Sequence, residues 1–424
     1  MKWGLPARGP GRWLAAGSFA GAAGLGSVVP FTAVYFTRSV GLGSGAVGLG
    51  MSLGSALAVA VLAPAGRLAD RVGARVLSIV VSLVAAASMA CFLLVNSYGE
   101  FLVVACLVTV GLGVRRVAEN TLIGQLMDQD SRVEFKAYQR SVYNLGFAVG
   151  TLGAAVPLQM GTQAAYAGLI TGGALLTATV ALTTFRLPST AFPSAKPSVP
   201  ATARLQHRFG GRGPRDGPYL AVALLSGLLV VRNSVLTIAV PLWVLGHTDA
   251  PPSTAALVIG LNTAMVVLLQ VSASRRVDSP RAAVRVNTRG ALALLVGCLL
   301  YGAAGQLPLV HTVVVLVLAT VCFTYGEMWT SAAGWCFAYD LADPRAPGAY
   351  QGIFGMGTGV ADIVGPVTAT SVVVALGIPG WAAVGVCFVV AALLTGPVVE
   401  RCLRRRAPAH RPHQASSADC EASP

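Results

Sequence analysis

Charge is scarce in this sequence. Asp, Glu, Lys and Arg together make up 11% of its 424 residues, against about 25% in soluble domains. A chain this poor in charge cannot cover a soluble surface of its own. Acidic residues are the scarcer kind: 16 stand against 30 Lys and Arg, for a net charge of +14. Such an excess would point to nucleic acid if it formed one basic face. The basic residues lie instead in short clusters between long apolar runs, which argues against a nucleic-acid partner and for a membrane. Chemical motifs are missing as well. No Gly-x-x-x-x-Gly-Lys-Ser/Thr segment occurs, so the chain has no loop of its own for driving work with ATP. The eight cysteines are Cys91, Cys106, Cys298, Cys322, Cys336, Cys387, Cys402 and Cys420, six of them inside apolar runs. They form no Cys-x-x-Cys pair and no Cys/His cluster, so neither a zinc site nor a disulfide framework is expected. Nothing calls for a cofactor, and no nucleophile motif marks an enzyme.

Apolar length is what the sequence has in quantity. Hydrophobic residues make 55% of the chain, mean hydropathy is +0.70, and there are 49 glycines. Glycine is frequent in membrane helices because it lets backbones approach closely. About 20 apolar residues cross a bilayer core as a helix. Runs of that kind lie near residues 13–37, 44–66, 75–96, 100–124, 138–160, 164–187, 219–245, 253–273, 286–306, 309–335, 349–376 and 379–399. The first follows the basic start Met1 to Arg12 and is too long for a signal-peptide core of about 7–15 residues, so it reads as the first span. The fold class is therefore an all-α membrane protein with twelve transmembrane helices. Residues 188–218 break the pattern with Pro188, Pro193, Pro197, Pro200 and Pro214 among basic residues. They read as a linker between a first half, 13–187, and a second, 219–399, with 1–12 and 400–424 as end segments.

The basic residues orient these spans. With the N-terminus inside, 26 of the 30 Lys and Arg fall in inward segments and only Arg38 falls outside. Arg132, Lys136 and Arg140 count among the inward anchors, in and just past the loop before the fifth span. Positive residues favour the cytoplasmic side, so both termini are expected there, in the cell inner membrane. The halves also echo each other. Ala137-Tyr138-Gln139 opens the fifth span and Ala349-Tyr350-Gln351 the eleventh, and in that register Gly153 meets Gly365. A tripeptide can match by chance, but its equivalent place in each half favours a duplication, in the manner of parallel six-span repeats.

Between the second and third spans the chain reads Gly66-Arg67-Leu68-Ala69-Asp70-Arg71-Val72-Gly73-Ala74-Arg75. This resembles the signature loop of the major facilitator superfamily, G-x-L-x-D-R-x-G-x-R, at every motif position. Glycine allows the tight turn, and the Asp70 charge suits a neighbouring arginine or a helix N-terminus. The plainer reading makes Arg67, Arg71 and Arg75 simple topology anchors. The matching segment of the second half, residues 272–285, keeps Arg275, Arg276, Asp278 and Arg281 but lacks the glycines. In the fourth span, Leu112 to Asn120 is similar to the family's L-x-x-x-R-x-x-Q-G motif, with Arg116 at the arginine and Glu119 and Asn120 in place of glutamine and glycine. The fifth span lacks the Gly-Pro of the family's antiporters, and Gly365-Pro366 stands in the eleventh instead. The resemblance implies a secondary carrier working by alternating access, most like twelve-span drug and metabolite efflux proteins. Its expected partners are a small organic substrate, protons and the bilayer, and it would act as a monomer. An importer of the same fold, or a transport-inactive receptor or enzyme, is the alternative.

Six charges lie at membrane depth: Arg115, Arg116, Glu119, Arg232, Glu327 and Asp362. Each is costly there and needs a partner or a wet cavity. In the family fold the first, fourth, seventh and tenth spans line the cavity, and five of the six charges fall on those spans. Glu119 stands within a turn of Arg115 and Arg116 and can pair inside its helix. Arg232, beside Asn233, can line a path or tie the bundle together. Tyr325, Trp329 and Trp335 surround Glu327, either for cation–π contact with a substrate or as packing. Asp362 follows Gly355 and Gly359 on a face suited to close helix contact. Glu327 and Asp362 have no basic neighbour within a turn of their own helices, so they are the first and second candidates for proton coupling. Arg232 is the residue that could claim Glu327 from across the cavity.

Overall fold

The computed structural model describes residues 9–32, 35–36, 40–160, 162–187, 216–275 and 277–406. The expected linker, apart from its last three residues, and most of the C-terminal tail lie outside them. Among the described residues the regular structure is entirely helical. The first half holds α1 (Pro10–Val28), α2 (Ser44–Val72), α3 (Ala74–Ala90), α4 (Tyr98–Leu126), α5 (Gln129–Gly153) and α6 (Gln163–Phe185). The second holds α7 (Gly217–His247), α8 (Ser253–Ser274), α9 (Pro280–Ala304), α10 (Leu309–Asp340), α11 (Pro347–Val374) and α12 (Ile378–Arg406).

Ten of these helices are long and apolar enough to cross a membrane. The other two of the twelve expected spans have physical reasons to differ. α1 has 19 residues, but Arg12 and five glycines keep its hydropathy low, and a tighter turn continues it over Val29–Phe31. α5 has 25, but its first half carries Arg132, Glu134, Lys136 and Arg140. The apolar run begins at 138, yet the helix begins at Gln129, which draws residues counted as loop anchors into a span.

Local chemistry sets several helix ends. The Ser97 hydroxyl accepts from the Glu100 N–H at 3.4 Å while the Glu100 carboxylate accepts from the Ser97 N–H at 3.2 Å, a reciprocal cap on α4;. Ser279 caps α9 ahead of Pro280. Gly73, with φ +95°, makes the sharp break between α2 and α3, a backbone state that L side chains rarely adopt.

The same contacts recur in each half. α1 packs on α5 and α6, α2 on α4, and α3 on α4 and α6; α7 packs on α11 and α12, α8 on α10, and α9 on α10 and α12. This is the internal repeat read from the sequence. Leucines and valines such as Leu53, Leu57, Val80, Leu83, Val390 and Leu393 stay exposed on the outside, as a lipid-facing surface requires. The second half departs from regular helix twice. A wide-turn π segment occupies Val235–Ala239, just before Pro241, and another occupies Thr368–Val374, just after Pro366. The two segments pack against each other.

The halves meet along two seams, α2 with α11 and α5 with α8. In the first seam the backbones nearly touch. The Gly348 carbonyl fills the space where a side chain on Gly66 would begin, the Leu62 carbonyl does so at Gly352, and Val59 does so at Gly359. In the second, the Ser141 hydroxyl donates to the Val266 carbonyl at 3.2 Å.

Candidate functional site between the halves

Both described chain ends and the α2–α3, α4–α5, α8–α9 and α10–α11 connections share one end of the molecule, called here the basic end. At that end Asp70 reaches from α2 across to α11. Its Oδ1 accepts from the Gly348 N–H at 2.7 Å and its Oδ2 from the Ala349 N–H at 2.8 Å. The first N–H groups of a helix lack internal partners, and its N-terminus favours negative charge. Asp70 thus caps a helix of the other half. Arg75 instead donates to the Phe185 carbonyl at 2.6 Å, within its own half, and Arg71 is exposed. Tyr339 adds a second closure, donating from α10 to the Asn120 carbonyl on α4 at 3.2 Å.

Deeper in the first half, Glu119 is fully engaged. Arg115 lies 3.6 Å away, and Oε1 accepts from Ser18 at 2.7 Å and from Gln139 at 2.7 Å. Lys136 donates to the side-chain oxygens of Asn120 at 2.9 Å and Gln139 at 2.7 Å. The network ties α1, α4 and α5 together.

Glu327 is buried and is also engaged, from both halves. Arg140 of α5 forms an ion pair with its Oε1, and Asn262 of α8 donates to its Oε2 at 2.8 Å. The other Arg140 nitrogen donates to Ser331 at 2.6 Å. Arg232, the residue expected to compete for Glu327, donates to that same Ser331 at 2.7 Å and to the Leu229 carbonyl at 2.6 Å.

Between these clusters lies a cavity of about 330 Å³, walled by α2, α4 and α5 on one side and α10 and α11 on the other. Arg116 and Lys136 line it from the first half and Asp362 from the second, with Trp335, Tyr339 and Phe354 among the apolar and aromatic walls. Arg116 and Asp362 are both exposed to this space, and among the described residues neither they nor Lys136 form an ion pair.

The structure therefore brings Arg116 and Asp362 into one cavity, joins Arg115 to Glu119, and gathers Arg232 near Glu327 through Ser331. Asn233, Tyr325 and Trp329 are not part of the cavity lining; Tyr325 and Trp329 pack on each other with ring centres 5.8 Å apart. Trp335 lines the cavity. Sequence reasoning missed Ser18, Lys136, Arg140 and Asn262. A signal for two of them was present: Lys136, Gln139 and Arg140 stand three and four residues apart, on one helix face.

The chain matches the sequence profile of the Major Facilitator Superfamily over residues 14–366. Solved structures share its fold. The human organic anion transporter MFSD10 superposes with a TM-score of 0.67 at 17% identity, covering 92% of this chain and 100% of that one. The proton:xylose symporter XylE gives 0.66 at 15% identity, covering 92% and 95%. The E. coli fucose:proton symporter FucP gives 0.66 at 14% identity, covering 92% and 98%. No curated relative matches it in sequence. Twelve helices in two related halves, closed around a charged cavity, define a multi-pass membrane transporter. The chain belongs to the Major Facilitator Superfamily.

Proposed function

We propose that this protein is a proton-coupled secondary carrier that moves a small organic molecule across the cytoplasmic membrane by alternating access. The basic end faces the cytoplasm, with both chain ends and residues 188–218 on that side. The state described here is then the one closed to the cytoplasm, held by the Asp70 cap and the Tyr339–Asn120 bond. The observation that carries the coupling is Asp362: an acid in the cavity wall, opposite Arg116, with no ion-pair partner among the described residues. A carboxylate that alternates between proton and no proton must meet the transported space, and Asp362 does. Glu327, first by sequence, is the less exposed and already paired. It serves better as a bridge between halves, so the order of the two acids is reversed. A single copy holds the whole cavity and works as a monomer. The family resemblance implies export, with import as the alternative.

The test uses the full chain reconstituted in vesicles of known orientation. Asp362→Asn is expected to abolish transport driven by a pH gradient while sparing substrate exchange at equilibrium. Full gradient-driven transport in this variant would remove Asp362 from the coupling. Reporter fusions after Pro193 should read inside and fusions at Thr248 outside; the reverse would overturn the orientation.

A further inference from the structure

The charges around the cavity do not balance. Arg116 and Lys136 line it against one acid, Asp362, and the neighbouring networks add Arg115, Arg140 and Arg232 against Glu119 and Glu327. Arg115 and Arg140 take two of the acids as ion pairs. Arg232 is buried away from the lining and spends its hydrogen bonds on a carbonyl and a hydroxyl. Arg116 and Lys136 therefore face the space with Asp362 alone against them. The groups that hold Lys136, the amides of Asn120 and Gln139, carry no charge. Asn120 stands one turn after Arg116, so the two cations flank one point of the first-half wall. Lys136 is partly buried with only neutral hydrogen-bond partners and Arg116 is open to the cavity, so a ligand carboxylate placed here can accept charged hydrogen bonds from both. Trp335 and Phe354 supply apolar surface within the same space. At about 330 Å³ the cavity is at the small end of ligand pockets, about 300–1,000 Å³;.

We propose that the cavity binds a small organic anion, its carboxylate held by Arg116 and Lys136 and its apolar body lying against Trp335 and Phe354. The transport of that anion rests on the carrier function proposed above; its binding does not. The site also sets the sense of coupling. Asp362 opposes a bound anion across the cavity, and a proton on Asp362 removes the opposition. The other titratable groups near this space are Tyr339, in the wall and bonded to Asn120, and Glu119, held by Arg115 and Gln139. Neither faces the anion as Asp362 does. Proton and anion then favour each other's binding, and by linkage each does so equally. Such a pair travels in the same direction, which selects uptake with the proton over exchange against it.

The experiment is equilibrium dialysis of the purified full chain in detergent against four probes with one aromatic body. They are 2-naphthoate, its neutral amide, the naphthylmethylammonium cation and the zwitterion 2-naphthylalanine. Naphthoate is expected to bind at least about tenfold more tightly than the amide, since a charged hydrogen-bond pair contributes about 1.5–3 kcal/mol. Arg116→Gln and Lys136→Gln should each weaken naphthoate by about tenfold or more while moving the amide little. Arg116→Lys should keep most of the affinity, and Asp362→Asn should raise it. Retained amide binding shows that a variant has folded. No saturable naphthoate binding, tighter binding of the cation or zwitterion, or naphthoate affinity unmoved in both Gln variants would overturn the anion site. Counterflow in vesicles separates the two proposals. Movement of the cation or zwitterion alone sinks the anion site and leaves the carrier. Naphthoate bound with none of the four moved sinks the carrier and leaves the site.

Discussion

The two seams between the halves hold equivalent places in the repeat, α2 with α11 and α5 with α8, yet they are made differently. The first is backbone against backbone. Gly66, Gly348, Gly352 and Gly359 leave no room for a side chain, and Asp70 locks the end by capping α11. The second joins through side chains, Ser141 to a carbonyl and, beside it, Arg140 to Glu327 on α10. The difference follows from helix length. In the register that aligns Ala137 with Ala349, α11 begins two residues earlier, at Pro347, while α5 begins eight residues earlier, at Gln129. Among the described residues Asp278, the counterpart of Asp70, caps no helix of the other half. It accepts from the neighbouring Ser279 at 3.2 Å and remains exposed. The equivalent loops of the two halves both carry an acid, but among the described residues only Asp70 caps a helix of the other half.

Substitutions can break this comparison at each level. Arg140→Gln should have the largest effect, because it strips Glu327, 5% exposed, of its only ion-pair partner among the described residues. Breaking a buried pair costs about 3–5 kcal/mol, so the apparent melting temperature in detergent should fall the furthest. The double variant Arg140→Gln with Glu327→Gln should recover much of that loss. Simple addition of the two single losses would show that the residues do not act as a pair.

Gly66→Val comes next. Overpacking costs about 1–3 kcal/mol, which is roughly 5- to 150-fold in the balance between closed and open. Maleimide labelling of a single cysteine at the basic end should rise accordingly, whereas Ser141→Ala should leave it within about twofold. Equal labelling in both would erase the contrast between glycine and side-chain seams.

Asp70→Asn should keep expression and insertion but lose the charged cap. Such caps contribute about 0.5–2 kcal/mol, so transport in vesicles should slow by roughly tenfold. An unchanged rate would reduce Asp70 to a loop charge. Asp278→Asn should do least, under about 0.5 kcal/mol, with transport within about twofold of the parent. A loss matching that of Asp70→Asn would mean the second loop still acts as a lock.

Much of this fold is legible in the sequence because membrane helices advertise themselves by length. The spans that fell short of a simple apolar test, α1 and α5, did so because glycine, serine and Arg12 dilute the first and charge interrupts the second. The Asp70 loop was also legible, since its spacing is local. The centre was less so. Arg140 reads as a topology anchor until α5 is seen to begin at Gln129 and carry it inward. The partner of Glu327 comes from the other half, 187 residues away in the chain, beyond the reach of any one-helix argument. Lys136 was hidden in the same way. Arg115 and Glu119, four apart on one helix, could be paired from spacing alone.

The two π segments have a mechanical meaning. A wide turn adds a residue and weakens the regular hydrogen-bond ladder, and helices bend where that ladder is interrupted. Among the described residues both such turns lie in the second half, next to Pro241 and Pro366, and they lean on each other. Compliance is therefore uneven. The first half has no such wide turn among its described residues, and Glu119, Gln139 and Lys136 tie α1, α4 and α5 together. The second carries a joint in its own wall, between α7 and α11. In an alternating-access cycle, bending is therefore expected at that joint, in the wall of the second half, so the proposed carrier would close a jointed jaw on its partner and not rock symmetrically.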